Sequence, residues 1–168
     1  MPEVTSRRTT LVPGQAPRMQ PARTPLIAAP TRMHPLKTYI VEDSPVIREN
    51  LIATLEELVS LEVVGTAEDE ATALQWLLRP QQEVDLVIID IFLKGGSGLG
   101  VLRGASAMSP AAKLVVLSNY ATSDMRRKCL DLGAHRVFDK SNDIDALINY
   151  CGELTRDPSG RNGHDTLS

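Results

Sequence analysis

Short runs of β-branched and other apolar residues alternate along the chain with longer segments in which apolar residues recur at helical spacing. Five of these runs have the length and composition of strands, and they cover residues 38–41, 63–66, 86–90, 114–117 and 136–138. Each run is followed by a segment with the period of an amphipathic helix. This strict alternation of strand and helix predicts a parallel sheet with helices on both of its faces.

The expected helices carry their own start and stop signals. Ser44 stands where it can cap the first helix, and Pro45 falls in its first turn. Gly133 ends the fourth helix. Apolar faces recur in these helices, for example Ile47, Leu51 and Leu55 in the first, Met125, Cys129 and Leu132 in the fourth, and Leu147, Cys151 and Leu154 in the fifth. Both cysteines of the chain therefore lie on apolar faces, which predicts that they pack in the core.

This order of elements fits a flavodoxin-like, doubly wound (βα)5 domain. It is an α/β fold with a five-stranded parallel sheet in the strand order 2-1-3-4-5. The domain is expected to span residues 36–155. A chain of 168 residues is long enough for one such domain with a tail at each end.

The N-terminal segment, residues 1–35, differs in composition from the rest of the chain. The first 37 residues contain six basic residues against one acidic residue, and seven of the eleven prolines. We expect a disordered, basic, Pro-rich tail, because proline removes backbone donors and little apolar surface is available to bury. Its role stays open between a tether to an anionic surface or nucleic acid, an upstream extension without function, and a transit peptide. Residues 156–168, rich in Gly, Asp and Ser, are expected to form a second, short disordered tail.

The apolar and cysteine content also bears on location. No apolar run approaches the roughly 20 residues needed to span a bilayer, so no membrane partner is expected. The two cysteines do not have the spacing of a metal site and indicate a reducing compartment. Together these features predict a cytoplasmic protein.

Polar side chains follow the predicted strands at the edge of the sheet where parallel strands end. Glu42 and Asp43 follow the first strand, Asp90 ends the third, Ser118 follows the fourth and Lys140 follows the fifth. In doubly wound folds this edge holds the binding site. A buried carboxylate such as that of Asp90 is costly unless a charged group pairs with it. We therefore expect a cation and a lysine to share its pocket.

This set of groups suits phosphoryl transfer. Two or three carboxylates favour a hard cation such as Mg²⁺, which keeps several waters and accepts phosphate as a further ligand. A carboxylate can also act as a nucleophile and form an acyl phosphate. The remaining requirements are positioning and charge neutralisation, which Mg²⁺, a lysine and a hydroxyl supply.

Four motifs, taken in order, resemble the receiver domain of two-component response regulators. They are VEDSP after the first strand, DIFLKGGSG after the third, VLSNYA at the fourth and GAHRVFDKS before the fifth helix. The resemblance covers about residues 36–155. It implies that Asp90 is the phosphoacceptor, that Ser118 hydrogen-bonds the phosphoryl group, and that Lys140 pairs with it.

The same resemblance implies a Mg²⁺ site. Asp43 and Asp90 are expected to bind the ion directly and Glu42 to bind it through water. The backbone carbonyl of Phe92 is expected to be a further ligand. The chain differs from the family pattern at other positions, but it keeps all the residues to which the resemblance assigns a role in phosphorylation or metal binding.

The chain departs from the family at the position where phosphorylation is usually sensed. An aromatic residue is common where this chain has Val137, and the adjacent Phe138 is expected to face the opposite side of the sheet. The response is therefore expected in the loop after Ser118 and in the fourth helix. The output residues of this hypothesis are Asn119, Tyr120, Met125, Arg126 and Lys128. Residues 126–128 are otherwise interpreted as a solvated helix face.

Three functions remain open. The first is a response regulator that accepts a phosphoryl group from a histidine kinase or phosphotransfer protein and signals by contact with an unknown downstream protein. The second is a receiver-like interaction module that acts without phosphorylation, which the absence of an aromatic residue at Val137 permits. The third, an aspartate-nucleophile phosphohydrolase, is disfavoured because Phe92 stands where that class needs an acidic residue.

The C-terminal end of the chain favours output by protein contact. Only fourteen residues follow Leu154, too few for a DNA-binding domain, so a single-domain regulator is expected. We expect no enzymatic activity beyond assistance to the protein's own aspartyl phosphorylation and dephosphorylation.

Overall fold

The computed structural model describes residues 34–80 and 82–156, and within them five strands alternate with five helices. The strands are β1 (Leu36–Val41), β2 (Leu61–Ala67), β3 (Leu86–Asp90), β4 (Lys113–Ser118) and β5 (Arg136–Asp139). The helices are α1 (Pro45–Leu58), α2 (Glu70–Leu77), α3 (Gly98–Met108), α4 (Ser123–Asp131) and α5 (Ile144–Arg156). The predicted alternation is confirmed. The predicted disordered tails cover residues 1–35 and 156–168, and of these all but residues 34, 35 and 156 lie outside the described residues; Arg156 is the last residue of α5.

All neighbouring strands of the sheet are parallel, in the order β2-β1-β3-β4-β5. The predicted flavodoxin-like topology is therefore confirmed. The chain passes from β1 to β2 on one side and then returns to place β3 on the other side of β1. This reversal lies between β1 and β3, where Val41 pairs with Ile89. The residues that follow these two positions open into the crevice where such folds bind ligands.

Alternate residues of each strand enter two different core layers. Ile88 packs with α1 and α5, through residues such as Leu55 and Leu147, whereas Ile89 packs with helices α2, α3 and α4. Strand β3 is buried on both faces, which explains why its sequence is a continuous apolar run with no polar alternation. None of the described helices is long and apolar enough to cross a membrane.

The faces of β5 agree with the expectation from sequence. Val137 lies in the layer that contains α4, and Phe138 lies in the opposite layer, where its ring is 6.0 Å from that of Tyr150. The two cysteines are buried, Cys129 in the first layer and Cys151 in the second. Burial raises the pKa of the Cys151 thiol to about 12, which fits a packing role.

Side-chain caps fix where the helices begin. The predicted cap Ser44 accepts a hydrogen bond from the Ile47 amide at 3.3 Å. Asp69, Ser97 and Thr122 cap α2, α3 and α4 in the same way. These caps satisfy amides that have no partner within the helix, so these four helices start directly after the strand-end loops that precede them.

Gly98 is required by a close backbone approach beside the end of β3. Its amide donates a hydrogen bond to the Ile91 carbonyl at 2.8 Å. A Cβ atom at this position would overlap the carbonyl oxygen of Asp90 and lie 2.6 Å from the Cα of Ile91. By contrast, a Cβ atom on Gly152 of α5 would meet only the Arg156 guanidinium, at 3.4 Å. We therefore expect replacement by alanine to have opposite effects on stability at Gly98 and at Gly152.

We expect Gly98→Ala to lower the free energy of unfolding by about 2 kcal/mol, since the added methyl group meets backbone atoms that cannot move independently. Gly152→Ala is the matched control, and it is expected to raise the free energy of unfolding by about 0.5–1 kcal/mol because alanine is the better helix former. Urea unfolding of both variants measures the difference. A Gly98→Ala protein as stable as the parent would contradict the close approach.

Candidate functional site

Three carboxylates meet at the carboxyl ends of β1 and β3. Glu42 and Asp43 follow β1, Asp90 ends β3, and one carboxylate oxygen from each lies within 4.8 Å of the others. Glu42 and Asp90 are only 2% and 6% exposed, whereas Asp43 is half-buried. Like charges at this separation repel each other, and burial strengthens the repulsion. The convergence predicted from the sequence is therefore present, together with a need for positive charge.

Lys140, which directly follows β5, supplies positive charge to the three carboxylates. Its Nζ atom lies 2.8 Å from Oε1 of Glu42 and 3.1 Å from Oδ2 of Asp90. Its backbone amide donates a hydrogen bond to the carbonyl of Ser118 at 2.9 Å, which links the loop after β5 to the end of β4. The pairing with Asp90 was expected, and the shorter pairing with Glu42 was not. One lysine still leaves the three carboxylates with excess negative charge.

The environment raises the pKa values of both Asp90 and Lys140. Burial raises the pKa of the Asp90 carboxyl, the charge of Glu42 adds to this rise, and Lys140 opposes it. Burial acts to lower the pKa of Lys140, but its hydrogen bond to Glu42 and the charges of both carboxylates outweigh burial and raise that pKa. Lys140 is therefore protonated at neutral pH, and ionisation of Asp90 costs folding stability.

Glu42 is held by groups from three parts of the chain: the loop after β1, helix α1 and the loop after β5. Its Oε2 atom accepts a hydrogen bond from the Ser44 amide at 3.0 Å, so both carboxylate oxygens are engaged. Arg48 donates to the Glu42 carbonyl at 2.9 Å and forms an ion pair with Glu68 at 3.3 Å. The contacts of Arg48 were not predicted from the sequence. Its spacing from Leu51, on the buried face of α1, was the available signal.

Ser118 ends β4, the strand next to β3, and Phe92 and Tyr120 lie in the loops that follow these two strands. Ser118 is fully buried, and its Oγ atom accepts a hydrogen bond from the Tyr120 amide at 3.0 Å. The Phe92 amide donates to Oδ1 of Asp90 at 3.2 Å. The rings of Phe92 and Tyr120 are 52% and 64% exposed and meet edge to face, with centroids 5.4 Å apart. Asn119 is exposed in the same loop as Tyr120.

Glu70 fixes the loop that leads away from Asp90. Its Oε1 atom accepts a hydrogen bond from the Ser97 amide at 2.9 Å, and its own amide donates to the Gly95 carbonyl at 2.9 Å. Gly96 adopts a φ of 83° beside the Glu70 side chain, where a Cβ atom has no room. The role of Glu70 was not predicted from the sequence, because its partners are backbone amides and carbonyls.

The residues expected to respond to phosphorylation lie on α4 or beside it, and they do not belong to the cluster of carboxylates. Met125 packs against the core, Val137 is buried beneath α4, and Lys128 is exposed. The interpretation of residues 126–128 as a solvated face holds only in part for Arg126, whose side chain is 40% exposed. Its guanidinium donates hydrogen bonds to the Ala121 and Val137 carbonyls, at 3.0 and 2.8 Å.

Comparison with known protein families agrees with this geometry. The family model of the response regulator receiver domain matches residues 38–151, a range that includes the acidic cluster and all five strands except the first two residues of β1. This chain belongs to the response regulator receiver domain family. The family resemblance inferred from the four sequence motifs is thereby confirmed, and with it the assignment to two-component signalling.

Curated relatives of this receiver domain are longer proteins. Protein-glutamate methylesterase/protein-glutamine glutaminase 5 of Myxococcus xanthus is 31% identical over 127 residues, which are 74% of this chain and 36% of that protein. The nitrate/nitrite response regulator protein NarP of Escherichia coli is 29% identical over 114 residues, 68% of this chain and 52% of that protein. The chain thus spans about a third to a half of the length of these relatives.

Solved structures share the fold at low sequence identity. A CheY-like receiver domain protein of Methanospirillum hungatei has a TM-score of 0.66 and 22% identity, covering 77% of this chain and 99% of that chain. The response regulator domain of CheB from Thermotoga maritima has a TM-score of 0.65 and 18% identity, covering 79% and 100%. A Burkholderia pseudomallei response regulator with a phosphorylated aspartic acid and a calcium ion has a TM-score of 0.62 and 18% identity, covering 76% and 73%.

We expect Lys140→Met to lower the free energy of unfolding by about 3 kcal/mol at neutral pH in metal-free buffer, because two buried carboxylates lose their counter-charge. Folding raises the pKa of Asp90. The ionised carboxylate therefore destabilises the folded protein only at pH values above the pKa that Asp90 has in the unfolded chain. The loss is therefore expected to grow as the pH rises above about 4, the ordinary pKa of an aspartate. Urea unfolding as a function of pH measures it.

Lys37 offers a matched control, since its ion pair with Glu83 is exposed and Lys37→Met is expected to change stability little. Adding Asp90→Asn to the Lys140→Met protein is expected to restore part of the lost stability. Equal losses in Lys140→Met and Lys37→Met would argue against the buried pairing.

Proposed function

We propose that this protein is a phosphorylatable response regulator. Asp90 accepts a phosphoryl group from a histidine kinase or phosphotransfer protein, and the phosphorylated form signals by contact with a downstream protein. The observation that carries the proposal is the Nζ atom of Lys140 between Asp90 and Glu42, next to Asp43, in a chain of the receiver family. Exchange of phosphoryl groups with such a kinase would take place in the cytoplasm.

The donor set supports Mg²⁺ as the cofactor. All three side chains offer carboxylate oxygen, the ligand type that Mg²⁺ prefers, and they hold more negative charge than Lys140 balances. Asp43 receives no hydrogen bond from any described residue, so it is available as a direct ligand beside Asp90. Both oxygens of Glu42 are already engaged, which supports binding through water. The backbone carbonyl of Phe92 completes the proposed set.

In the proposed reaction, a carboxylate oxygen of Asp90 attacks the phosphorus atom and forms an acyl phosphate, while the bond from phosphorus to the donor's histidine nitrogen breaks. A bound Mg²⁺ would neutralise charge on the phosphoryl oxygens. Lys140, already 3.1 Å from Asp90, pairs with the new phosphoryl group. The Ser118 hydroxyl accepts from the Tyr120 amide, so its own hydrogen is available to a phosphoryl oxygen. A phosphorylated aspartic acid in the Burkholderia pseudomallei protein of the same fold supports this chemistry.

The second candidate, a receiver-like module that acts without phosphorylation, is favoured by one observation. Val137 is buried beneath α4, where the resemblance leads us to expect an aromatic side chain. The charged groups of the proposed site, Glu42, Asp43, Asp90 and Lys140, nevertheless lie close together, which supports the first candidate. The esterase and glutaminase activities in the name of the Myxococcus xanthus relative belong to that protein, of which this chain covers 36%.

We expect acetyl phosphate to label Asp90 in the presence of Mg²⁺, giving an acyl phosphate that survives acid poorly. Asp90→Asn and Asp43→Ala are expected to abolish labelling, because the first removes the nucleophile and the second removes a metal ligand. Mass spectrometry of the intact protein measures incorporation. Equal incorporation by a folded Asp90→Asn protein would sink the assignment of Asp90. Absence of labelling in the wild-type protein, on an intact fold, would favour the second candidate.

Millimolar Mg²⁺ is expected to raise the melting temperature of the wild-type protein. The ion binds the folded state alone, because the three carboxylates converge only there, and it relieves their repulsion. The rise is expected to vanish in Asp43→Ala, while Asp69→Ala, which changes an acidic residue in a helix cap, should retain it. A melting temperature that Mg²⁺ leaves unchanged in the wild-type protein would show that the cluster does not bind the ion.

Slow loss of the phosphoryl group is the expected consequence of the exposed aromatic pair. Hydrolysis needs a water positioned in line with the breaking bond. Phe92 lies two residues after Asp90 and Tyr120 two residues after Ser118; their rings contact each other, and neither carries a carboxylate or amide that could orient this water. Shielding of this kind slows hydrolysis without hindering phosphorylation.

We therefore expect the double variant Phe92→Asn/Tyr120→Glu to lose its phosphoryl group faster than the wild-type protein, by about tenfold or more, because it gains polar groups of the kind that general base catalysis uses. Decay of labelled protein after removal of the donor measures the rate. Phe138→Leu is a control, since it changes an aromatic residue in the opposite core layer. Faster decay in the wild-type protein than in the double variant would contradict the shielding.

A further inference from the structure

Arg126 joins three segments that are separate in the sequence. Its Nε atom donates to the Ala121 carbonyl at 3.0 Å, Nη1 donates to the Val137 carbonyl at 2.8 Å, and Nη2 donates to Oδ2 of Asp143 at 3.4 Å. These partners lie in the β4–α4 loop, in β5 and in the loop before α5. The planar guanidinium offers several donors in a fixed geometry, so one side chain holds all three segments at once.

Its neighbours on α4 do not share this arrangement. The side chain of Arg127 is 71% exposed and pairs only with Asp124 in the same helix, among the residues that the structure describes. Lys128 is exposed. The contacts of Arg126 therefore do not follow from the basic composition of this helix, and they distinguish one arginine from an adjacent one.

The two carbonyls bound by Arg126 lie close in sequence to the phosphoryl-binding groups. Ala121 is three residues after Ser118, and Val137 is three residues before Lys140. Ser118 and Lys140 are themselves joined by the hydrogen bond from the Lys140 amide to the Ser118 carbonyl. Each short segment is thus fixed at one end beside Asp90 and at the other end by Arg126.

We propose that Arg126 is a positioning residue that holds the resting arrangement of the β4–α4 loop and β5, and that phosphorylation of Asp90 acts against this hold. The proposal rests on the proposed function. A phosphoryl group on Asp90 draws the Ser118 hydroxyl and the Lys140 ammonium toward its oxygens. Movement of either segment stretches the hydrogen bonds of Arg126 at the far end. Loosening of these bonds changes the surface formed by α4 and the start of α5.

This arrangement has a thermodynamic consequence. A contact made only in the resting state lowers the affinity for any ligand that favours the other state. Removal of the guanidinium is therefore expected to tighten binding of a phosphoryl mimic, although it removes hydrogen bonds from the folded protein. A merely structural role would lower the melting temperature and leave this affinity unchanged.

The experiment measures beryllofluoride binding in Mg²⁺ by calorimetry. Arg126→Met keeps an unbranched apolar stem and loses all three hydrogen bonds, and it is expected to bind beryllofluoride about fivefold or more tightly than the wild-type protein, the lower end of typical couplings between sites. Arg127→Met is the matched control and is expected to bind as the wild-type protein does. Equal or weaker binding by Arg126→Met would overturn the proposal.

A second measurement uses the wild-type protein and so does not depend on the folding of a variant. The Nε–H proton of Arg126 is bonded to Ala121 in the resting protein, so its exchange with solvent, followed by ¹⁵N NMR, is expected to be slow and to accelerate with beryllofluoride. Exchange that beryllofluoride leaves unchanged would refute the coupling alone. Absence of any beryllofluoride binding by the folded wild-type protein would contradict the proposed function, and the coupling with it.

Discussion

The buried ion pairs of Lys140 are the interaction on which this site depends. Glu42 follows β1 and Asp90 ends the neighbouring strand β3, and both are almost fully buried, so two negative charges placed here need a counter-charge. Lys140 follows β5, which β4 separates from β3 in the sheet. A shorter cation at this position would not reach across that strand. The ammonium therefore joins the ends of three strands, and the packed sheet beneath holds it at a fixed distance from both carboxylates.

The same charge arrangement leaves the site unbalanced. Three carboxylates share one lysine, and Asp43 receives no hydrogen bond from the described part of the chain. A structural ion-pair network would gain stability by matching its charges. An excess of negative charge instead lowers stability unless a cation binds, and in the proposed reaction it would make the addition of a phosphoryl group dependent on that cation. The local cost in stability and the proposed chemistry thus have the same origin.

The sequence predicted those parts of the structure that follow from apolar periodicity and strand ends. The alternation of strands and helices, the opposite faces of Val137 and Phe138, and the convergence at Asp90 all come from rules that act residue by residue. The contacts of Arg48, Glu70 and Arg126 could not be predicted in this way, since most of their partners are backbone groups. Every residue has such groups, so composition carries no signal for them. Helical spacing places an arginine on a face, but it does not indicate which carbonyls that face meets.

The placement of Phe138 limits how a change at Asp90 can reach α4. Its side chain lies in the layer with α1 and α5, near Tyr150. Of these two residues, only Val137 packs in the layer that contains α4. Exchanging their faces would require a one-residue slip of β5, which would move every side chain of that strand to the wrong layer. A buried valine has few alternative conformations and cannot swing between two positions. In the proposed coupling, the connection therefore runs through backbone segments. The carbonyls of Ala121 and Val137, both held by one guanidinium, are the points at which such a movement is resisted.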